Sequence, residues 1–473
     1  MKELDRKIAE VFPNEFVYKD DKVRALFSGV YIPSFIKDWI IKRFLDERTY
    51  EIDKEGLRDF LRKYIPSKDE NIKGFLVANP GVSKKIITRV ITEPDVKSGE
   101  IRFSIPDLKI QKSEGVVPSY LTKENPKLRG GEQWGVVELT FYKDENKLGY
   151  IELSNFKPFQ PYEVDIEYFI HARKEFSFEE WIDLLIKAME YNPEGFIGIT
   201  QKLQFLLRLL VFVEPNLNII ELAPKGTGKS YVFGNLSKYG WLISGGYVSR
   251  AKLFYDISKN MEGIVARYDF IALDEIQTIR FNDQDEIRGV FKSYLENGTF
   301  NVSNYRGSAG AGFILLGNIS LSEDRKPINK VYFQELPEVF QESALIDRFH
   351  GFIEGWKLPR MNEAMKVKGI TLNVEFFSEI LHRLRSYGEF TAFFEENTIF
   401  PANADTRDKK AIVKIGSALL KLLFPNIPFR IYPSKEEFRL CVNIAKEMRA
   451  IIKEQLSFMD QEYSKQVPSV ELK

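Results

Sequence analysis

The spacing of hydrophobic residues changes along this 473-residue chain, and the changes divide it into successive regions. From residue 1 to about 65, apolar residues recur every three or four positions, as at Ile36, Ile40 and Phe44, which predicts helices. From 66 to about 170 the pattern becomes that of short strands separated by Gly, Pro, Asp and Asn. These apolar runs lie at 86–91, 101–105, 135–141 and 148–153. The N-terminal part is therefore predicted to be a helical segment followed by a β-rich domain.

The β-rich region has the pattern of a small barrel or a twisted sheet. Residues 144–147, Asp-Glu-Asn-Lys, separate the last two apolar runs and predict a hairpin. Several short strands at this spacing are typical of an OB-like barrel, which would bind nucleic acid. A purely structural barrel would show the same pattern, so both interpretations stay open.

A different alternation begins near residue 171. From 171 to 360, strand-like and helix-like stretches alternate, which predicts a parallel sheet with crossover helices. Ser177 and Glu180 match a capping box at its start. From 361 to 460 the pattern is helical, and residues 461–473 are a polar tail that we expect to be loose. The helices of the third region are expected at 374–387, 408–424 and 434–459.

The predicted fold class is therefore α/β: a parallel sheet with a helical lid, preceded by a helical and β-barrel domain. Composition agrees, since 44% of the residues are hydrophobic, enough for sizeable cores and too many for wholesale disorder. The chain has 68 Lys plus Arg and 68 Asp plus Glu. This balance excludes a uniformly basic nucleic-acid binder.

Cysteine and histidine content bounds the chemistry further. Cys441 is the single cysteine, and the three histidines stand far apart in sequence, so we expect neither disulfides nor a His/Cys zinc site. The first residues lack the apolar core of a signal peptide. The longest apolar run, 205–213, is interrupted by Arg208 and is too short for a membrane span. We therefore expect a cytoplasmic protein.

The most specific motif lies at residues 223–230, Ala-Pro-Lys-Gly-Thr-Gly-Lys-Ser, directly after an apolar strand. It matches the P-loop pattern except that alanine stands at the first glycine position. In a P-loop, backbone N–H groups surround phosphate oxygens, the lysine reaches the β- and γ-phosphates, and the serine hydroxyl binds Mg²⁺. A glycine turn that binds nothing is the competing interpretation. The predicted nucleotide-binding residues are Pro224, Lys225, Gly226, Thr227, Gly228, Lys229 and Ser230.

Two further apolar strands end in polar residues that suit nucleotide hydrolysis. The strand at 270–273 is followed by Asp274, which would hold Mg²⁺ through water, and by Glu275, which would orient and deprotonate the attacking water. The strand at 313–317 is followed by Asn318, which could fix that water. An ordinary strand-end cap would look the same as Asn318.

One arginine after these strands is a candidate for action between subunits. Arg348 could point at the γ-phosphate of a neighbouring subunit, as an arginine finger does, or simply pair with Asp347 at the surface. The sequence holds no Asn-Lys-x-Asp motif for guanine, because residues 329–332 read Asn-Lys-Val-Tyr. ATP is therefore favoured over GTP.

In their order, these motifs resemble the Walker A, Walker B, sensor 1 and arginine finger of the AAA+ ATPase family. The helical region after residue 360 resembles the AAA+ lid, with Arg407 at the sensor 2 position; a solvated arginine at a helix start is the alternative. Over roughly residues 1–460 the chain further resembles the BrxL family, Lon-related AAA+ proteins of BREX phage-defence systems. Their core is similar to minichromosome maintenance helicases. The resemblance rests chiefly on 221–230, 242–246, 272–275, 347–350 and 419–425.

The resemblance implies ATP and Mg²⁺ as cofactors, a hexameric or related ring, duplex DNA as a partner and other BREX proteins as further partners. In the helicase relatives, a hairpin before the sensor strand touches DNA, which here would place Tyr305 and Arg306 on it. Lys84, Lys85 and Arg89 are further candidates for DNA backbone contacts. A glycine-rich surface loop and a solvated barrel face explain these two groups almost as well.

The sequence thus predicts a ring-forming ATPase that binds duplex DNA and couples ATP hydrolysis to DNA remodelling or translocation in phage defence. The alternative is an ATP-driven protein remodeller or unfoldase working with a separate protease; a module in which ATP only gates assembly is a third class. Typical family members continue into a Lon-type protease domain, for which this sequence has no segment after the lid, so proteolysis is not expected. The zero net charge predicts an uneven placement of cations, with basic residues facing the channel.

Overall fold

The computed structural model describes residues 3–30, 32–46, 49, 51–67, 70–95, 98–143, 149–159 and 164–473. The chain divides into two units, and each is described by itself. The barrel unit is Val17–Tyr162, and the sheet unit combines Met1–Phe16 with Glu163–Lys473. Within the described part of the chain, no helix is long and apolar enough to cross a membrane.

Helix α1 (Glu3–Val11) belongs to the sheet unit, and strand β1 (Phe16–Lys19) begins at the border between the units. The barrel unit continues with five helices and five strands within its described residues. These are α2 (Asp21–Ala25), α3 (Ser34–Arg43), α4 (Lys54–Tyr64), α5 (Ile72–Ala78), β2 (Ser83–Pro94), β3 (Ile101–Ile105), β4 (Ile110–Val117), α6 (Ser119–Glu124), β5 (Gly131–Lys143) and β6 (Gly149–Pro158).

The five strands close into a barrel in the order β2-β3-β4-β6-β5, with β5 paired back to β2. The β4–β6 pair is parallel and the others are antiparallel. Alternate residues of each strand, such as Val137 and Leu139, point into a buried apolar core. Within the described residues, the predicted strand runs lie in β2, β3, β5 and β6. β4 was missed because Gln111, Lys112 and Ser113 near its start are polar and exposed. The predicted turn at 144–147 lies outside the described residues.

The N-terminal helices do not form a segment separate from the barrel. The apolar faces of α3 and α4, including Ile36, Ile40, Leu57 and Leu61, form one buried cluster with Ile87 of β2. Burial against the outer face of a barrel strand places these helices in the barrel unit. The structural division therefore falls at residues 16–17, and the predicted border at 65 lies inside the barrel unit.

The sheet unit contains the remaining helices and strands. Its helices are α7 (Ile166–Ala172), α8 (Phe178–Ala188), α9 (Gly198–Leu206), α10 (Leu210–Val213), α11 (Lys229–Asn235), α12 (Arg250–Leu253), α13 (Gln284–Asn297), α14 (Ser343–Ile346), α15 (Val374–Leu384), α16 (Glu389–Glu396), α17 (Thr406–Leu423) and α18 (Lys435–Met459). Its strands are β7 (Ile219–Ala223), β8 (Gly240–Val248), β9 (Tyr255–Asp256), β10 (Met261–Glu262), β11 (Phe270–Phe281), β12 (Thr299–Val302), β13 (Tyr305–Ser308), β14 (Gly312–Asn318), β15 (Gly351–Glu354), β16 (Gly369–Leu372), β17 (Thr398–Ile399) and β18 (Glu471–Leu472).

A five-stranded parallel sheet in the order β15-β7-β14-β11-β8 forms the centre of this unit. Strand β7 is buried throughout and β14 is buried up to its last residue, as expected for a sheet covered on both faces. Because all five strands run in one direction, their carboxyl ends lie at one edge of the sheet. That edge is where open α/β sheets bind ligands.

The helices after the sheet correspond largely to those predicted. α15, α17 and α18 match the three expected helices, and α16 was not predicted. The capping boxes of Ser177 with Glu180 and Ser434 with Glu437 are both present. The expectation of a loose tail is wrong, because β18 pairs antiparallel with β17. Ile452 of α18 shares an apolar cluster with the sheet, so the predicted border at 360 does not separate two units.

Candidate active site

The predicted P-loop forms the turn between β7 and α11 at the carboxyl edge of the sheet. Gly226 and Gly228 have positive φ angles of 84° and 80°, which residues with a Cβ rarely adopt. A Cβ at Gly228 would also lie 2.5 Å from the hydroxyl oxygen of Tyr191. Ala223 is the last residue of the buried strand β7, where a small apolar side chain fits. The one departure from the strict motif therefore falls outside the turn itself.

The Lys229 ammonium is held among acceptors of the loop and the neighbouring strand. Its Nζ donates to the backbone oxygen of Ala223 at 3.1 Å and to Oδ1 of Asn318 at 3.5 Å. The residue is 8% exposed, and burial lowers its pKa, while the carboxylate of Glu221 partly raises it. A buried cation gains free energy from an anionic partner, so this position suits a phosphate.

Ser230 and Asp274, the two residues predicted to hold Mg²⁺, lie together. The Ser230 hydroxyl donates to Oδ2 of Asp274 at 2.5 Å, and Asp274 is buried. Mg²⁺ prefers oxygen ligands and usually takes one or two carboxylates together with substrate phosphates. The hydroxyl and carboxylate oxygens therefore fit Mg²⁺ between the P-loop and β11.

Glu275 follows Asp274 at an irregular point of β11. Its φ is 49°, which is uncommon outside glycine, and its N–H donates to Oδ1 of Asp274 at 2.9 Å. On the facing strand β8, Gly245 and Gly246 also have positive φ, and the pairing of the two strands shifts register here. Strained backbone of this kind is concentrated at functional sites. The irregularity leaves the Glu275 carboxylate exposed at the sheet edge.

These residues line one cavity of about 400 Å³, a volume within the range of about 300–1,000 Å³ typical of small-molecule sites. Its walls include residues 225–230 of the P-loop, Asp274, Glu275 and Asn318. Pro224 is outside the walls, and its backbone oxygen accepts a hydrogen bond from Thr227 Oγ1 at 3.3 Å. The structure thus brings Lys229, Ser230, Asp274, Glu275 and Asn318 together at one cavity.

Arg208 hydrogen-bonds to the P-loop, a structural role that the sequence analysis did not predict. Its guanidinium donates to both carboxylate oxygens of Glu221, at 3.0 and 2.5 Å, and to the backbone oxygen of Thr227 at 2.8 Å. Arg208 and Glu221 are both fully buried. The available signal was a charge inside the apolar run 205–213 together with a glutamate inside the buried strand β7.

Arg348 and Arg407 lie outside the walls of this cavity and share one acid. Arg348 Nε and Arg407 Nε are 3.0 and 3.2 Å from Oε2 of Glu296. Arg407 also donates to Oδ2 of Asp347 at 2.9 Å, and the buried Arg449 donates to Oδ1 of Asp347 at 2.6 Å. The sequence left open an ion pair between Asp347 and Arg348. In the structure Arg348 instead pairs with Glu296, and Asp347 pairs with Arg407 and Arg449.

The predicted DNA-contacting hairpin is formed by β12 and β13. Arg306 is exposed there, but Tyr305 is engaged within the fold. Its ring stacks on Tyr255 with centroids 3.8 Å apart, and its hydroxyl donates to Glu262 at 2.6 Å. Within this pair, Arg306 is therefore the residue available for a partner.

The candidate cations of the barrel are mostly neutralised by nearby acids. Lys84 Nζ lies 3.1 Å from a carboxylate oxygen of Glu70. Arg89 donates to Asp107 at 3.0 Å, a hydrogen bond that raises the pKa of Arg89. Lys85 is exposed. Lys84 and Arg89 are therefore charge-balanced by nearby acids, whereas Lys85 remains exposed on the barrel surface.

Residues 151–469 match the family described as the ATPase domain of Lon-like protease BrxL-like proteins, and residues 10–141 match the BREX system Lon protease-like protein BrxL N-terminal family. The chain belongs to the BrxL family. This membership confirms the resemblance found in the motifs. The BrxL ATPase-domain match covers both the P-loop cavity and the arginine pair at Glu296.

Two relatives carry the name Lon-like protease BrxL. The protein of Escherichia coli O9:H4 (strain HS) is 29% identical over 96% of this chain and 65% of its own length. That of Bacillus cereus (strain H3081.97) is 30% identical over 96% of this chain and 67% of its own length. An uncharacterized protein, ORF426 of Acidianus filamentous virus 1, is 24% identical over half of this chain and 61% of its own length. The chain thus spans about two thirds of the length of the BrxL relatives.

We expect Arg208→Met to lower the free energy of unfolding by about 3–5 kcal/mol, because Glu221 would be left as an unpaired buried charge. The double change Arg208→Met with Glu221→Leu should recover most of the lost stability, since apolar pairs often replace buried ion pairs without cost. The double variant should nevertheless bind nucleotide more weakly than the wild type, because the hydrogen bond from Arg208 to Thr227 is lost. Denaturant unfolding and nucleotide titration measure the two effects separately. Wild-type nucleotide affinity in the folded double variant would contradict this interpretation.

Proposed function

We propose that this chain hydrolyses ATP with Mg²⁺ in the cavity formed by the P-loop, β11 and β14. The observation that carries the proposal is the convergence of Lys229, Ser230, Asp274, Glu275 and Asn318 on one cavity at the carboxyl edge of the sheet. The membership in a family defined by an ATPase domain supports it. The absence of a guanine motif from the sequence favours ATP.

In this proposal each side chain has a role that its contacts allow. Backbone N–H groups of residues 225–228 and the Lys229 ammonium bind the phosphates. Ser230 and Asp274 hold Mg²⁺, which supplies charge neutralisation at the phosphates. Glu275 accepts the proton of the water that attacks the γ-phosphorus, and the side-chain amide of Asn318 orients that water. The leaving group is ADP, and the transferred phosphoryl group becomes inorganic phosphate.

The first test separates binding from chemistry. We expect Lys229→Ala to abolish measurable ATP turnover, and Glu275→Gln to lower kcat by roughly 10²–10⁴-fold while ATP binding persists, because the general base is lost. Rates of phosphate release and ATP titrations on the same samples make the distinction. Glu462→Gln, the same change at an exposed carboxylate of the tail, is the matched control. Unchanged turnover in Glu275→Gln would refute the role of Glu275.

We further propose that subunits assemble into a hexameric or related ring in which Arg348 and Arg407 reach the ATP of a neighbour. The contacts support this reading because both arginines share Glu296, and neither lines the cavity of its own subunit. Both side chains keep some exposure, 16% for Arg348 and 37% for Arg407. An arginine that reaches a neighbour's γ-phosphate stabilises the charge that develops during hydrolysis.

Subunit mixing tests the trans arrangement. We expect Arg348→Ala to lower kcat by roughly 10³–10⁵-fold, as for loss of an arginine finger. Mixing Arg348→Ala with Lys229→Ala subunits should restore part of the activity, because an intact P-loop then meets an intact arginine. Mixing Arg348→Ala with the double variant Lys229→Ala, Arg348→Ala is the control and should restore nothing. No recovery in the first mixture would count against a trans finger.

The proposed substrate of the motor is duplex DNA, within a role in BREX phage defence alongside other BREX proteins. The five-stranded closed barrel is the architecture of OB-like domains, which bind nucleic acids. Arg306 is exposed on its hairpin, and Lys85 is exposed on the barrel. The alternative of a protein remodeller shares every motor motif, so the choice between them rests on the substrate that stimulates hydrolysis.

ATP hydrolysis measured with and without duplex DNA across a salt series decides between the two substrates. We expect stimulation by DNA that falls steeply as salt rises, because phosphate contacts release bound counterions. Arg306→Ala should reduce the stimulation and its salt dependence, whereas Arg439→Ala, at an exposed arginine of α18, should leave both unchanged. Absence of DNA binding at low salt would instead favour the protein remodeller.

A further inference from the structure

The strand that carries Glu275 stops pairing with its neighbour before the strand that carries Asn318 ends. β11 and β14 pair from Phe270 with Gly312 up to Leu273 with Leu315. Asn318 lies three residues beyond that last pair, and on its other side it pairs with Ala223 of β7. The backbone of Asn318 therefore lies beyond the last residue of β14 that pairs with β11.

The side chain of Gln277 takes the place of the missing strand. Its Nε2 donates to the backbone oxygen of Asn318 at 2.7 Å, and its Oε1 accepts from the backbone N–H of Asn318 at 3.3 Å. A primary amide offers one donor group and one acceptor, as a peptide unit does. Gly317 leaves room for this approach, since a Cβ there would lie 3.1 Å from Gln277 Nε2 and 2.4 Å from Leu222 Cδ2.

Gln277 also belongs to the irregular segment that presents Glu275. The hydroxyl of Thr278 donates to the backbone oxygen of Glu275 at 2.9 Å, which closes the turn around Gln277. The regular pairing of β11 with β8 resumes only at Ile279. The irregular segment 275–278 therefore leaves the Glu275 carboxylate exposed and, through Gln277, also hydrogen-bonds to the backbone of Asn318.

We propose that Gln277 is a positioning residue that fixes Asn318 relative to Glu275, so that both side chains address the same attacking water. The inference rests on the proposed ATP hydrolysis and assigns a residue that none of the sequence motifs contains. Lys229 Nζ lies 3.5 Å from Asn318 Oδ1. The hydrogen bonds from Gln277 to the Asn318 backbone therefore also help to position the Asn318 amide relative to Lys229. Gln277 acts through Asn318 and is not among the residues that line the cavity.

The proposal is tested by a double-mutant cycle on ATP turnover. Gln277→Leu removes both hydrogen bonds at similar volume and should lower kcat roughly 10–100-fold, as changes to supporting residues around reactive groups do. ATP affinity should stay close to wild type, whereas the melting temperature should fall modestly, because the backbone N–H and C=O of Asn318 lose their partners. Combining Gln277→Leu with Asn318→Ala should give the kcat of Asn318→Ala alone, because residues that act as a unit are not additive.

Gln341→Leu provides the matched control, since the Gln341 amide also donates to a backbone oxygen, that of Leu336 at 2.7 Å, and lies outside the cavity walls. It should retain wild-type kcat. Additive losses in the double variant, an unchanged kcat in Gln277→Leu, or a joint fall of affinity and melting temperature would overturn the inference. If wild-type protein hydrolyses no ATP, the proposed function itself fails; if it does and only the cycle fails, the inference about Gln277 alone is refuted.

Discussion

Arg208 and Glu221 form a two-point ion pair in which neither side chain is exposed. Removing two charges from water costs several kcal/mol per ion, and the pair offsets this only when its geometry is good and its remaining hydrogen-bonding groups are satisfied. Here the spare N–H groups of the guanidinium reach the backbone oxygen and the hydroxyl of Thr227. Because the buried guanidinium needs hydrogen-bond acceptors, Arg208 holds Thr227 of the P-loop in place. The backbone position of Lys229, two residues later, depends on this contact.

The rest of the site follows from that fixed point and from the shared edge of the parallel strands. β7, β11 and β14 end side by side, so a residue at the end of one strand can contact residues at the ends of its neighbours. The strands are regular where they form the core and irregular where they carry polar groups. At Glu275 and at Gly245 the backbone leaves the ladder, and side chains such as Asp274 and Gln277 replace the lost backbone hydrogen bonds. Buried polar backbone requires such replacements.

The parts of this arrangement that are local in sequence could be predicted, and those that depend on distant contacts could not. The P-loop, Asp274 and Glu275 are recognisable because their spacing and the preceding apolar strands reflect local backbone geometry. Arg208 and Gln277 act through partners reached only in the folded chain, and neither has a sequence pattern of its own. The barrel strand β4 was missed because its exposed half is polar. The pairing of the tail with β17 could not be foreseen, because strand pairing depends on a neighbour 74 positions away, from Thr398 to Leu472.

Near Glu296 and Asp347, arginines and acids also pair locally, and these pairs differ in how firmly they hold each arginine. Arg449 is buried and holds Asp347 and Asp408, so its charge is committed to the fold. Arg348 and Arg407 instead share the half-exposed Glu296. Arg407 also donates to Oδ2 of Asp347, which Arg449 contacts through Oδ1. A phosphate carries more than one negative charge and several acceptor oxygens, so it is a stronger partner for an arginine than a single carboxylate is. In the proposed ring, a neighbour's phosphate would therefore compete with Glu296 for Arg348 and Arg407.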